Sequence, residues 1–222
     1  MTILGRRQLL HLGSLAALPL VAAGCGVPSV MPTPTPAPSR REPQLTIVQG
    51  TVGTLGAARV GYLNRSVDID QVSIWRDGDE SGFGSTVSLR DGDWIFIGGM
   101  CWTMSRLAPA DNRARIGFDP VLTRVPAPSP EAGLIFAPTG PDDRATAAWI
   151  GTGNRMRVTG VTTDSATLTH WPGLSKPGEA GVVVPVKAGS RITMGRVSVT
   201  ITGFRPALER LRGYVVVRVR TG

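Results

Sequence analysis

The residues best equipped for chemistry fall into two sets. The first is acidic: Asp68 with Asp70, Asp77 with Asp79 beside Glu80, and Asp91 with Asp93. A hard cation such as Ca²⁺ takes six to eight oxygens from flexible loops, so converging Asp-x-Asp loops could supply a site. Asp77, Asp79, Asp91 and Asp93 are weak candidates on that ground. Their spacing does not match an EF-hand loop, and two of the pairs enclose a glycine. Asp-Gly is the commonest short hairpin turn, so turn chemistry is the leading reading and no metal is expected. The second set is soft: Met100, Cys101 and Met104, with His170 elsewhere. Exported copper sites use such groups. Strand alternation, however, puts Met100 and Met104 on one face and Cys101 on the other.

Enzyme readings are short of parts. The histidines are His11, in the first apolar run, and His170, so any Ser-His-Asp or Cys-His arrangement must use His170. No Gly-x-Ser-x-Gly, zinc-type histidine pair or phosphate loop is present. Gly151-Thr152-Gly153 is too short to signify, and nothing calls for a cofactor. A hydrolase with paired carboxylates stays open, because Asp is plentiful, although no spacing supports it.

The N-terminus reads as an address. Arg6-Arg7 precede Gln8-Leu9-Leu10 and an apolar run to Ala23, then Gly24-Cys25. The run contains Pro19 and is shorter than the ~20 residues a bilayer span needs. No later stretch approaches that length, so no second membrane segment is expected. Arg6 and Arg7 resemble a twin-arginine export signal, and Val21-Ala22-Ala23-Gly24-Cys25 resembles a lipobox. The resemblance implies removal of residues 1–24, a lipid on Cys25, and a membrane-anchored lipoprotein on the extracytoplasmic face. Ala22 stands where that pattern usually has leucine, which leaves plain secretion as the alternative. With Cys25 lipidated, Cys101 has no disulfide partner within the chain.

The remainder must position any site. Residues 25–43 form a proline-rich tether, punctuated by Pro28, Pro32, Pro34, Pro36, Pro38 and Pro43. A second proline-rich break at 123–131 separates 44–122 from 132–222. These halves align without a gap from Val87 against Val184 to Arg115 against Arg212. The matches include Gly92 with Gly189, Ile95 with Ile192, Gly98 with Gly195, Trp102 with Val199 and Pro109 with Pro206. Upstream, Trp75 matches Trp171 after a one-residue shift. Abundant glycine (28) and proline (18), with alternating runs broken by Gly and Asp, predict short strands rather than helices. The fold class read from this is all-β: two tandem, duplicated small β-barrel or β-sandwich domains. The only helix expected is a turn or two at 207–211.

Alternation assigns faces. Ile95, Ile97, Met100, Trp102 and Met104 match apolar residues in the second half and are expected in the core. Trp94 and Phe96 match Arg191 and Thr193, so they occupy a face that the second half keeps polar. They form either an interdomain contact, which is the expectation, or a partner- or glycan-stacking surface. Charge is uneven: residues 44–120 carry 7 Arg and 9 Asp/Glu (net −2), and residues 132–222 carry 12 Lys/Arg and 5 Asp/Glu (net +7). Arg210, Arg212, Arg218 and Arg220 near the C-terminus suggest a patch for an anionic ligand. An envelope protein or an anionic cell-wall polymer is the expected kind of partner; export makes nucleic acid a poor one. The leading function is therefore a non-catalytic envelope binding or scaffolding module. A metal-binding or redox accessory lipoprotein and a small exported hydrolase are the alternatives.

Overall fold

A computed structural model describes residues 43–151, 153–173 and 179–222. The export signal with Arg6 and Arg7, the lipidation candidate Cys25 and nearly all of the proline-rich tether lie outside the described residues. All regular structure described is β-strand. The first half contains β1 (Leu45–Val48), β2 (Val52–Leu55), β3 (Ala58–Arg65), β4 (Asp70–Trp75), β5 (Gly84–Leu89), β6 (Trp94–Ile97), β7 (Met100–Ala110) and β8 (Arg113–Pro120). The second contains β9 (Gly133–Phe136), β10 (Ala147–Ile150), β11 (Asn154–Thr159), β12 (Ser165–Trp171), β13 (Val182–Lys187), β14 (Arg191–Met194), β15 (Val197–Arg205) and β16 (Tyr214–Thr221). Hairpins at Gly98-Gly99 and Gly195-Arg196 fall where the glycines predict them, because Gly98, Gly99 and Gly195 take the positive φ a tight turn demands.

Each half follows one strand order. In the first, β1-β8-β7-β6 form one sheet and β5-β4-β3-β2 another; in the second, β9-β16-β15-β14 and β13-β12-β11-β10 repeat the pattern. The halves are nevertheless not separate bodies. β10 pairs with β5, so the two meanders merge into one eight-stranded sheet, β13-β12-β11-β10-β5-β4-β3-β2. The described residues form a single compact unit. The all-β class expected from the sequence is what the structure has, with two hydrophobic cores sharing one sheet. One core gathers Val60, Tyr62, Val87, Ile95, Trp102 and Phe118; the other gathers Met156, Leu168, Ile192, Val199, Ile201 and Val217.

Two local expectations are corrected. Residues 207–211 are not helical: Leu208 and Leu211 exchange backbone hydrogen bonds around Glu209, whose φ is positive. The flanking backbone is then claimed by β6, with Trp94 N donating to Arg210 O and Arg212 N to Trp94 O. Met100 is 46% exposed, whereas its counterpart Val197 is buried. Thr221 of β16 lies opposite Val197, but β8 stops at Pro120, opposite Trp102, and leaves Met100 without a strand partner on that side.

Candidate functional site

Trp94 and Phe96 are not a free surface. Phe96 is buried edge-on against Tyr214 of β16, ring centroids 5.8 Å apart, and Tyr214 in turn meets Phe136 of β9 at 6.2 Å. The outer face of β6 and β7 is therefore covered by β9 and β16, and Trp94 is half-buried beside them. The counterparts Arg191 and Thr193 have no such cover and stay exposed.

The four arginines divide. Arg218 and Arg220 are exposed on β16, and register places Arg218 beside Thr200 and Arg191. Arg210 is exposed in the turn after β15. Arg212 leaves the patch: its side chain is only 10% exposed, 3.9 Å from Asp93 across the two halves, and it donates to Ala137 O. Burial pushes the Asp93 carboxyl up and the Arg212 guanidinium down from their ordinary ranges.

The acidic candidates do not converge on one site. Asp79 accepts from Ser81 N and Ser81 Oγ, at 2.9 and 2.6 Å. Asp91 accepts from Arg106 N of β7, and Asp93 accepts from Arg90 N, closing its own turn. Asp77 pairs with Arg59 at 3.1 Å. No group of three or more His, Cys, Asp or Glu suited to a metal ion occurs among the described residues. Burial pushes the Cys101 thiol up to about 11, which suppresses the thiolate a nucleophile or soft ligand needs. His170 sits in a core-facing register row with Met156, Ala148 and Ser85, which contains no carboxylate.

The outward face of the long sheet carries a feature of another kind. Thr54, Arg59, Trp75, Gly84, Trp149, Arg155 and Trp171 follow one another in register across β2, β3, β4, β5, β10, β11 and β12. Cross-strand partners point to the same side, so these residues form one line. Each tryptophan packs over a glycine on, or just before, a neighbouring strand. A Cβ at Gly84 would overlap Trp149 Cζ2, one at Gly61 would come within 3.2 Å of Trp75 Cζ3, and one at Gly181 within 2.5 Å of Trp171 Cε2. Glycine is what lets the indoles pack onto the sheet. Arg155 stacks on Trp171, its Cζ 4.1 Å from the ring centroid. Arg59 bridges Thr54 Oγ1 and Asp77, both at 3.1 Å. Neither a protein-family model nor a curated protein nor a solved structure matches the chain. The site is accordingly read from its own geometry.

Trp75, Trp149 and Phe83 also line a groove of about 680 Å³, with Arg76, Asp77 and Asp79 among its polar members. Flat aromatic walls with a few polar groups are what a ligand cleft needs for contact area and orientation. Strands lie about 4.8 Å apart, so tryptophans on alternate strands stand about 9.6 Å apart along the line. Sequence reasoning matched Trp75 with Trp171 but did not see the line. A signal was present: Arg59 and Arg155 each stand sixteen residues before those tryptophans, and Gly84 and Gly181 follow them. Trp149 carried no such signal, because it joins only through the β5–β10 pairing.

Proposed function

We propose that this chain is a non-catalytic binding module of the bacterial cell envelope. In this reading it is exported and held on the extracytoplasmic face by a lipid on Cys25, and the tryptophan line is its contact surface. The observation that carries it is the row of three indoles on alternate strands of one sheet face, each packed over glycine, with Trp75 and Trp149 lining a shared groove and Trp171 capped by Arg155 at its end. A stacked aromatic platform suits the flat, weakly polar faces of sugar rings. The alternate-strand spacing suits an extended β-1,4-linked chain, in which every second ring presents the same face. Arg59, Arg76, Asp77 and Asp79 supply the polar rim that would orient hydroxyl or carboxylate substituents. The metal-accessory and hydrolase alternatives have no comparable observation behind them.

Trp149→Ala and Gly84→Val test the surface from its two sides. The first removes the central ring; the second lifts it off the sheet. Each is expected to weaken binding to purified cell-wall glycan about tenfold, ~1.4 kcal/mol, with Trp149→Phe retaining most of it. Co-sedimentation with insoluble wall and calorimetry with soluble wall oligomers measure this. Failure of the unaltered protein to bind either material defeats the glycan reading. The anchoring part has its own test. Intact mass of membrane-extracted protein should show an acylated Cys25 as the N-terminus, and replacing Arg6 and Arg7 with lysine should block export. A soluble product of unmodified mass defeats lipidation, and normal export of the lysine variant defeats the twin-arginine route.

A further inference from the structure

The joint between the two halves is made by three register pairs: Thr86 with Ala147, Ser85 with Ala148 and Gly84 with Trp149. It unites the last strand of one meander, β5, with the first strand of the next, β10. Because each half follows the same order, the molecule presents the same two edges again at the ends of the long sheet. β13 is the counterpart of β5, β2 is the counterpart of β10, and each is a terminal strand of that sheet. Counterpart residues follow from register. Gly181 adjoins Trp171 as Gly84 adjoins Trp75, and Thr54 faces Arg59 as Trp149 faces Arg155. Carried over to a second molecule, the joint pairs Gly181 with Thr54, Val182 with Gly53 and Val183 with Val52.

The free edges bear the marks of such a contact. Val52, Val182 and Val183 are 51, 52 and 61% exposed, and they fall on the residues that the joint would pair. Val183 and Val52 would meet directly as an apolar cross-strand pair on the outer face. Natural edges are usually blunted by proline and lysine. Here Pro185 and Lys187 lie beyond the three-residue stretch, so they shorten the contact to the length of the internal joint without blocking it. Thr54 also fits its place. Trp171 already lies over Gly181, with Arg155 on top, and a small residue opposite leaves that arrangement undisturbed. The strand flanking the internal joint is no obstacle either, since β1 packs beside β2 as β9 packs beside β10.

We infer that copies of this chain associate head to tail, β13 of one pairing antiparallel with β2 of the next, by repeating the contact that already joins its own halves. The contact is heterologous, so it leaves both outer ends free and builds open chains rather than closed dimers. The tryptophan line then runs on from one copy into the next. This association stands on the edge strands alone and holds or fails independently of the glycan reading.

Disulfide trapping of the full chain in its native membrane tests it. Directly opposed residues of an antiparallel pair have Cα atoms about 4.5–5.5 Å apart, within disulfide reach. The double variant Val52→Cys with Val183→Cys should give, under mild oxidation, a ladder of dimers, trimers and longer species on non-reducing gels. Co-expression of the two single variants should stop at the dimer. As a control, Val67→Cys, on a loop residue 86% exposed, combined with Val183→Cys should give no ladder. A double variant that is exported and protease-resistant yet stays monomeric overturns the inference. So does a ladder of equal strength from the Val67 control.

Discussion

Asp70→Asn is expected to cost on the order of 3 kcal/mol of folding stability, a large fraction of what a chain of this size has to lose. The carboxylate is fully buried. One oxygen accepts from the Tyr62 hydroxyl at 2.5 Å and from Arg65 Nε at 3.0 Å; the other accepts from Arg106 Nε at 2.6 Å. The arginines go on to donate to backbone carbonyls of Arg115, Ser66 and Val67, so this single side chain ties β3, β4 and β7 together. Removing its charge strands two guanidinium groups that are about one quarter exposed, which softens the penalty below that of a sealed pair. Asp77→Asn is the contrast. Its pair with Arg59 lies in solvent, and the change should stay within about 1 kcal/mol. Chemical denaturation of both variants measures the difference; equal effects would sink the claim that Asp70 is a structural hub.

The same hub sets an alkaline limit. Burial, then the Asp70 carboxylate, pushes the Tyr62 hydroxyl up to about 12 from its usual value near 10. The folded state therefore holds that proton more tightly than the unfolded chain. Stability from this source is complete below about pH 10 and is lost as pH rises towards 12. In Asp70→Asn the window should narrow, because one cause of the raised value is gone. A tyrosinate titration unchanged by the substitution would show that the coupling is absent.

Tyr214→Ala is expected to be about as damaging, at about 3–5 kcal/mol. Tyr214 belongs to the last strand yet is buried in the first half's core, between Phe96 and Phe136. Removing it opens a cavity at the place where the halves interlock. A chain ending after residue 131 goes further: it bares Phe96 and Cys101, unpairs one edge of β5, and takes away the residues that cap the backbone of Trp94. That fragment should aggregate on expression, read by light scattering and by binding of a hydrophobic dye. A soluble, monomeric fragment with a cooperative unfolding transition would mean that the first half folds alone, contrary to the shared core. Phe96→Thr, which imitates Thr193, should weaken the full chain without making it aggregate.

What the amino-acid sequence determines by itself is local and periodic. Alternation bounded by Gly and Asp places β6 at Trp94–Ile97 and the β15 strand start at Val197, because a pleated strand turns successive side chains to opposite faces. The repeated pattern from Val87 and from Val184 foreshadows one strand order used twice. The same alternation identifies Ile95, Ile97, Trp102 and Met104 as interior, and mispredicts Met100 only because a partner strand ends two residues early. The choice of neighbour across a sheet edge is not local. Whether β5 stops at the end of its own meander or accepts β10 depends on backbone groups that look the same in any strand. Only the tertiary structure decides that Trp149 lands over Gly84 and completes the tryptophan line, or that Arg212 turns inward to Asp93 while Arg218 stays in water. Likewise, Asp70 reads as half of an Asp-x-Asp turn pair. Its role emerges when β7 brings Arg106 across to it from thirty-six residues away, a closure whose free energy is settled by the whole core rather than by any short stretch of chain.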